Sequence, residues 1–136
     1  LDGPPFANGD AHVGHAINKI LKDFIVRCQI YRGNRVLYRP GWDCHGLPIE
    51  MKIAKNTQQF LQKMSPIDIR KTARQIALHS IARQQNSFKR WAVTADWANP
   101  YFTMNKHYVA NELRLFGELF RRNIVYRAFM PVFWLV

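Results

Sequence analysis

Apolar residues Ala16, Ile17, Ile20, Leu21, Phe24 and Ile25 recur at helical spacing, with Asn18, Lys19, Lys22 and Asp23 on the other face. This pattern predicts an amphipathic helix from about Val13 that ends between Arg27 and Tyr31, with Arg32-Gly33-Asn34 as the turn. A second helical pattern begins at Ser65, an N-cap residue followed by Pro66 at the first helical position and Asp68 three residues on. Ala73, Ile76, Ala77, Ser80, Ile81, Gln84, Phe88 and Trp91 continue it to about Trp91. The opposite face carries Arg70, Lys71, Arg74, Arg83 and Lys89, a basic stripe read as solvated or acid-paired ahead of direct contact with RNA. A third helix opens at Asn105, lines up Val109, Leu113, Phe116 and Phe120, and closes near Arg122-Asn123.

Between these lie shorter elements. Val36-Leu37-Tyr38 is β-prone and stopped by Pro40-Gly41, so it reads as a strand that delivers Trp42 to His45 into a loop. A short helix is predicted near Leu47 to Lys55, then a polar connection from Gln58 to Lys63. Asp96-Trp97-Ala98-Asn99-Pro100 breaks the chain, and Val125-Tyr126-Arg127 and Pro131 to Val136 read as strands. Loop, helix, strand and loop form a βα unit whose first strand would precede Leu1. In open α/β sheets, ligands bind beyond the carboxyl ends of the strands.

Composition narrows the class. A chain of 136 residues, 48% hydrophobic, can build a core and is not disordered. A formal net charge of +11 favours a polyanionic partner. Cys28 and Cys44 are too few for a disulfide framework or a thiolate zinc site. No apolar run reaches about 18 residues, so no membrane-spanning helix is predicted. The start at Leu1 and the apolar end Val132-Phe133-Trp134-Leu135-Val136 are those expected of a piece of a longer protein.

Candidate chemistry gathers in Pro4 to His15. Two prolines and two glycines make this a loop, and it runs into the mouth of the first helix with His12 and His15 at the entrance. Unpaired N–H groups and the positive dipole end favour phosphate there. The same residues also fit a capped surface helix with two solvated histidines.

His12-Val13-Gly14-His15 resembles the HIGH signature of the class I aminoacyl-tRNA synthetases, and Gly41-Trp42-Asp43-Cys44-His45-Gly46-Leu47-Pro48-Ile49-Glu50 fits the same family downstream. The flanks, Gly-Pro-Pro-Phe-Ala-Asn-Gly in particular, resemble the isoleucyl branch of bacterial and mitochondrial type. The resemblance implies an α/β fold: the N-terminal half of a Rossmann-type (HUP-like) parallel-sheet domain, incomplete, with residues 1–136 ending near the start of an editing insertion. It implies activation of isoleucine by ATP, with magnesium accompanying the nucleotide, and transfer to tRNA(Ile) by a monomeric enzyme without membrane contact, in the mitochondrial matrix or otherwise the cytoplasm.

By the same resemblance His12 and His15 face the ATP phosphates as donors, and Gly14 lets the adenine lie against the backbone. Asp43 grips the α-ammonium group of isoleucine, and Pro4 walls the side chain. Asp43 as a cap for the next helix is the competing reading. His45 beside Cys44 has too few neighbours for a metal site and reads as loop packing. Lys63-Met64-Ser65 is similar to the start of the family's KMSKS signature but lies too early and is read as a helix start. That signature is otherwise absent, so these residues alone are expected to be inactive. The family usually continues from Trp134 with Ser-Pro; Leu135-Val136 departs from this. A non-catalytic nucleotide- or RNA-binding remnant is the alternative.

Overall fold

The computed structural model describes residues 3–56, 64–131 and 133. In chain order they form α1 (Val13–Tyr31), β1 (Gly41–Trp42), α2 (Leu47–Asn56), α3 (Pro66–Arg90), β2 (Tyr101–Phe102) and α4 (Lys106–Arg121). Residues 1–105 make one compact unit and residues 106–136 another.

The helix ends lie where local chemistry puts them. α1 closes with Asn34 N–H on the Gln29 carbonyl at 3.0 Å, and Gly33 takes φ +82°, a left-handed conformation that glycine adopts without Cβ strain. Ser65 caps α3 by accepting from Asp68 N–H at 3.2 Å and donating its hydroxyl to Asp68 Oδ2 at 2.6 Å. That is the work of a helix start, as the sequence of Met64-Ser65-Pro66 suggests. In the second unit, Arg121 and Arg122 both pair with Glu118, at 2.9 and 2.7 Å, near the end of α4.

The strands differ from expectation. Residues 36–38 are irregular and Leu37 is 84% exposed; the strand forms at Gly41–Trp42, parallel to Tyr101–Phe102. Pro40 stops nothing, because its carbonyl accepts from Tyr101 N–H at 3.0 Å and so begins the ladder. Phe6 bridges Asp43 in parallel on the other side, with Asp43 N–H on the Pro5 carbonyl at 2.9 Å and Ala7 N–H on the Asp43 carbonyl at 2.8 Å. The first loop, β1 and β2 therefore run side by side. Residues 125–127 are also irregular, and most of the predicted strand 131–136 lies outside the described residues, as does the connection 58–63.

α3 packs on this narrow parallel array. Ala77, Ile81 and Phe88 of α3 form one buried cluster with Ala7, Trp42, Cys44 and Ile49, and the Trp42 and Phe88 rings stack at 6.3 Å. Fully burying a side chain such as Phe88 contributes about 3 kcal/mol.

α1 inverts the usual rule for amphipathic helices. Lys19 and Asp23, from its polar face, are 3% and 6% exposed, while Ile17, Leu21, Phe24 and Ile25 are open to solvent. The groups that meet this face accommodate its two charges. The Phe88 ring lies 5.4 Å from the Lys19 ammonium, and Thr94 N–H donates to Asp23 Oδ1 at 2.7 Å. Arg27 pairs with Asp23 and donates to the Ala92 carbonyl at 2.7 Å. Buried charge is tolerated when it is paired and hydrogen-bonded in this way.

Candidate functional site

His12 is the N-cap of α1 and His15 lies in its first turn, and the two rings hold that turn reciprocally. His15 Nδ1 accepts from His12 N–H at 3.2 Å, and His12 Nδ1 accepts from Gly14 N–H at 3.1 Å. The ring centroids are 3.9 Å apart. An Nδ1 that accepts a backbone N–H carries no proton, so the remaining proton of each neutral ring is on Nε2. Both Nε2–H groups lack a partner among the described residues, and beside them is the positive end of a 19-residue helix.

The environment of His15 keeps it in that state. Its pKa is lowered from the ordinary value, first by burial, then by the neighbouring His12 and by the Lys19 ammonium one turn further along α1. A neutral imidazole can donate one hydrogen bond to a phosphate oxygen while holding its backbone cap.

Gly14 has a reason to lack a side chain that the sequence alone does not reveal. A Cβ there would meet His12 Cε1 at 3.0 Å and Nδ1 at 3.1 Å. The glycine makes room for the ring that caps the helix. Gly41 is more constrained still, since a Cβ would overlap the Tyr101 ring.

Asp43 stands at the end of β1, between the first loop and β2. Its Oδ1 accepts from His45 N–H at 3.3 Å, a local turn that orders the loop into α2. The bond is to a residue that precedes α2, and it leaves Oδ2 without a partner among the described residues. Pro4, half-buried, precedes the Pro5 carbonyl that receives Asp43 N–H, so the proline loop and the aspartate are neighbours through the ladder. His15 connects to the same region through Phe88, whose ring lies 6.1 Å from His15 and stacks on Trp42 beside Asp43.

Gln84 binds these parts together. Wholly buried on α3, it accepts from Trp42 Nε1–H at 2.9 Å and donates Nε2–H to the carbonyls of Phe6 and Gly9, at 3.0 and 2.9 Å. Periodicity places it on the inner face of α3, but a glutamine at helical spacing carries no sign that it holds the first loop and β1 together. Arg83 adds an ion pair to Asp10 at 3.0 Å.

Cys44 is a packed thiol. Burial raises its pKa, and Sγ lies 3.4 Å from the Trp42 carbonyl. A thiol held protonated is a poor nucleophile and a poor metal ligand.

Comparisons with known proteins agree on one family. A model of class I tRNA synthetases (I, L, M and V) matches residues 1–136. The isoleucine–tRNA ligase of Thermosynechococcus vestitus is 48% identical over 134 residues, covering 98% of this chain and 14% of that protein. The mitochondrial isoleucine–tRNA ligase of Gallus gallus is 50% identical over 133 residues, again 98% of this chain and 13% of the relative. Among solved structures, a ternary complex of Agrobacterium radiobacter LeuRS with tRNA and LeuAMS superposes with a TM-score of 0.69 at 28% identity, over 90% of this chain and 14% of that one. The chain thus spans 13–14% of the length of these curated relatives.

Proposed function

This chain belongs to the class I tRNA synthetases of the I, L, M and V group, and from that premise we propose that it supplies one side of an isoleucine-activating site. The whole protein would join isoleucine to AMP at the expense of ATP and pass the isoleucyl group to tRNA(Ile). Residues 1–136 form the N-terminal part of a Rossmann-type catalytic domain, and the parallel pairing of the first loop, β1 and β2 is the arrangement such a domain requires.

In the first step a carboxylate oxygen of isoleucine attacks the α-phosphorus of ATP and pyrophosphate leaves. In the second, a hydroxyl of the terminal adenosine attacks the acyl carbon and AMP leaves. Neither step needs a covalent enzyme intermediate, so the protein's work is to position groups and stabilise charge. His12 and His15 donate Nε2–H to phosphate oxygens at the helix mouth. Gly14 keeps the His12 cap in place and the backbone open to a flat base. Asp43 receives the α-ammonium group on the oxygen that His45 does not use, and Pro4 walls the side chain. Magnesium enters with ATP.

The observation that carries this reading is the reciprocal histidine cap, which fixes two N–H donors at the positive end of one helix. The compartment follows the relatives, which include bacterial and mitochondrial enzymes; the mitochondrial matrix is our choice. A non-catalytic nucleotide-binding remnant would keep the cap and lose the reaction. Isoleucine-dependent exchange of pyrophosphate into ATP, assayed with the natural protein that carries these residues, separates the two. Exchange no greater than that with isoleucine omitted would defeat the proposal.

A further inference from the structure

A cavity of about 550 Å³ opens between α2 and α3, apart from the site above: none of Pro4, His12, His15 and Asp43 lines it. Strand alternation explains the separation, since Trp42 and Cys44 face α3 and Asp43 faces away from it. The floor is apolar, made by Cys44, Ile49, Ala73 and Met104. Glu50 stands on the α2 wall, and Arg70 and Arg74 on the α3 wall.

The structure divides the basic stripe of α3. Arg83 is paired with Asp10, Lys71 lies 3.8 Å from Asp68, and Lys89 sits over the Trp97 ring at 5.9 Å. Arg70 and Arg74 have no ion pair or hydrogen bond among the described residues, and neither does the Glu50 side chain. Two guanidiniums four residues apart on a helix repel each other, a cost that an anion between them reverses. Their planar forks suit a phosphate. The volume is that of a small-molecule site rather than of an inorganic ion.

We propose that this cavity is a second nucleotide site, in which Arg70 and Arg74 clasp a phosphate, the apolar floor receives the base, and the Glu50 carboxylate accepts from ribose hydroxyls. Two sources share that chemistry: a free nucleoside monophosphate, and one unit of a single-stranded RNA. The RNA form rests on the function proposed above; the free form does not.

The test uses the natural protein carrying these residues, with its first site filled by a non-reactive isoleucyl-adenylate analogue. Calorimetric titration with AMP, and separately with hexa-adenylate RNA, should give one further binding event. Arg70→Gln/Arg74→Gln should weaken it about tenfold, and Arg70→Lys/Arg74→Lys by less, because charge stays while the fork is lost. Arg35→Gln/Arg90→Gln removes equal charge elsewhere and should leave affinity within about twofold, since only general attraction is lost. If the RNA is the occupant, the slope of log K against log salt should shrink by about 1 in the Arg70→Gln/Arg74→Gln protein. Response to AMP identifies a free nucleotide, and response to the oligomer alone identifies a strand. No second event with either probe, or equal weakening in both glutamine variants, overturns the proposal. Isoleucine-dependent exchange on the same preparations should be unchanged by Arg70→Gln/Arg74→Gln. Its absence from the unsubstituted protein would defeat the synthetase reading and leave the titration of AMP to stand or fall by itself.

Discussion

Trp42 donates its indole N–H to Gln84 Oε1 at 2.9 Å in a region closed to water, and through this bond the strand that ends in Asp43 is fastened to the helix that also holds the first loop. Both N–H groups of the Gln84 amide are used, on the carbonyls of Phe6 and Gly9, while its oxygen serves Trp42.

Gln84→Ala should therefore destabilise the protein by about 3 kcal/mol, from the cavity and from an indole N–H and two carbonyls left unpaired. Urea denaturation followed by tryptophan fluorescence measures it. A loss below about 0.5 kcal/mol, typical of a surface substitution, would mean that water replaces the amide and that Gln84 holds nothing.

Gly14→Ala sets two effects against each other. Alanine gains up to about 1 kcal/mol over glycine in a helix, and a displaced His12 cap loses about 1 kcal/mol. The substitution should be neutral or destabilising in the natural background and stabilising in a His12→Ala background, where the 3.0 Å contact is gone. Thermal unfolding of the four proteins gives the cycle; the same sign in both backgrounds would show that the ring does not feel the methyl group.

The lowered pKa of His15 fixes the sign of a pH effect. Below the unfolded value of about 6.5 the unfolded chain binds a proton that the folded ring resists, so folded stability falls as pH drops from there through the folded pKa. Protonation at Nδ1 would also break the bond from His12 N–H. His15→Gln should flatten the decline in stability between about pH 6.5 and pH 5 relative to the unsubstituted protein. An unaltered slope would assign the decline to other groups. If His15 donates to the ATP phosphates as proposed, His15→Ala should raise the barrier to adenylate formation in the natural protein by about 3 kcal/mol and weaken isoleucine binding far less, as pyrophosphate exchange and isoleucine titration would measure.

Asp23 has the opposite sign. Burial pushes its carboxyl up, but hydrogen bonds from Arg27 and Thr94 more than offset this and the net shift is downward. Its stabilisation is present above the unfolded value, near pH 4, and is lost as pH falls through the lower folded pKa. Asp23→Ala should cost about 2 kcal/mol at pH 7, since it frees Thr94 N–H and leaves Arg27, half exposed, to water. The cost should shrink on acidification; an equal cost at pH 7 and pH 3 would mean that the charge is irrelevant.

Asp43→Asn keeps an oxygen for His45 N–H, so the loop into α2 should survive. If Asp43 holds the α-ammonium group, isoleucine affinity should fall by about 2–5 kcal/mol while ATP binding without isoleucine is nearly unchanged. Titration calorimetry of both ligands decides it. Affinity for isoleucine within about twofold would leave Asp43 only its turn, because asparagine orders such turns as well as aspartate.

The sequence by itself determined the helices and the positions of the candidate groups. Val13–Tyr31, Pro66–Arg90 and Lys106–Arg121 were legible because helical hydrogen bonds join residues four apart, and caps such as Ser65 and turns such as Gly33 act within a few residues of themselves. The sequence also placed His12 and His15 at a helix mouth and Gln84 on an inner face. Tertiary structure alone decided the rest. Whether residues 36–38 or 41–42 became a strand depended on Tyr101 and Phe102, about sixty residues away, because a strand's bonds are made by its partner. Which face of α1 was covered depended on the ring of Phe88 and the N–H of Thr94, so Lys19 and Asp23 went inside and the apolar stripe did not. Burial is a property of what a surface meets, and no pattern within one helix records that.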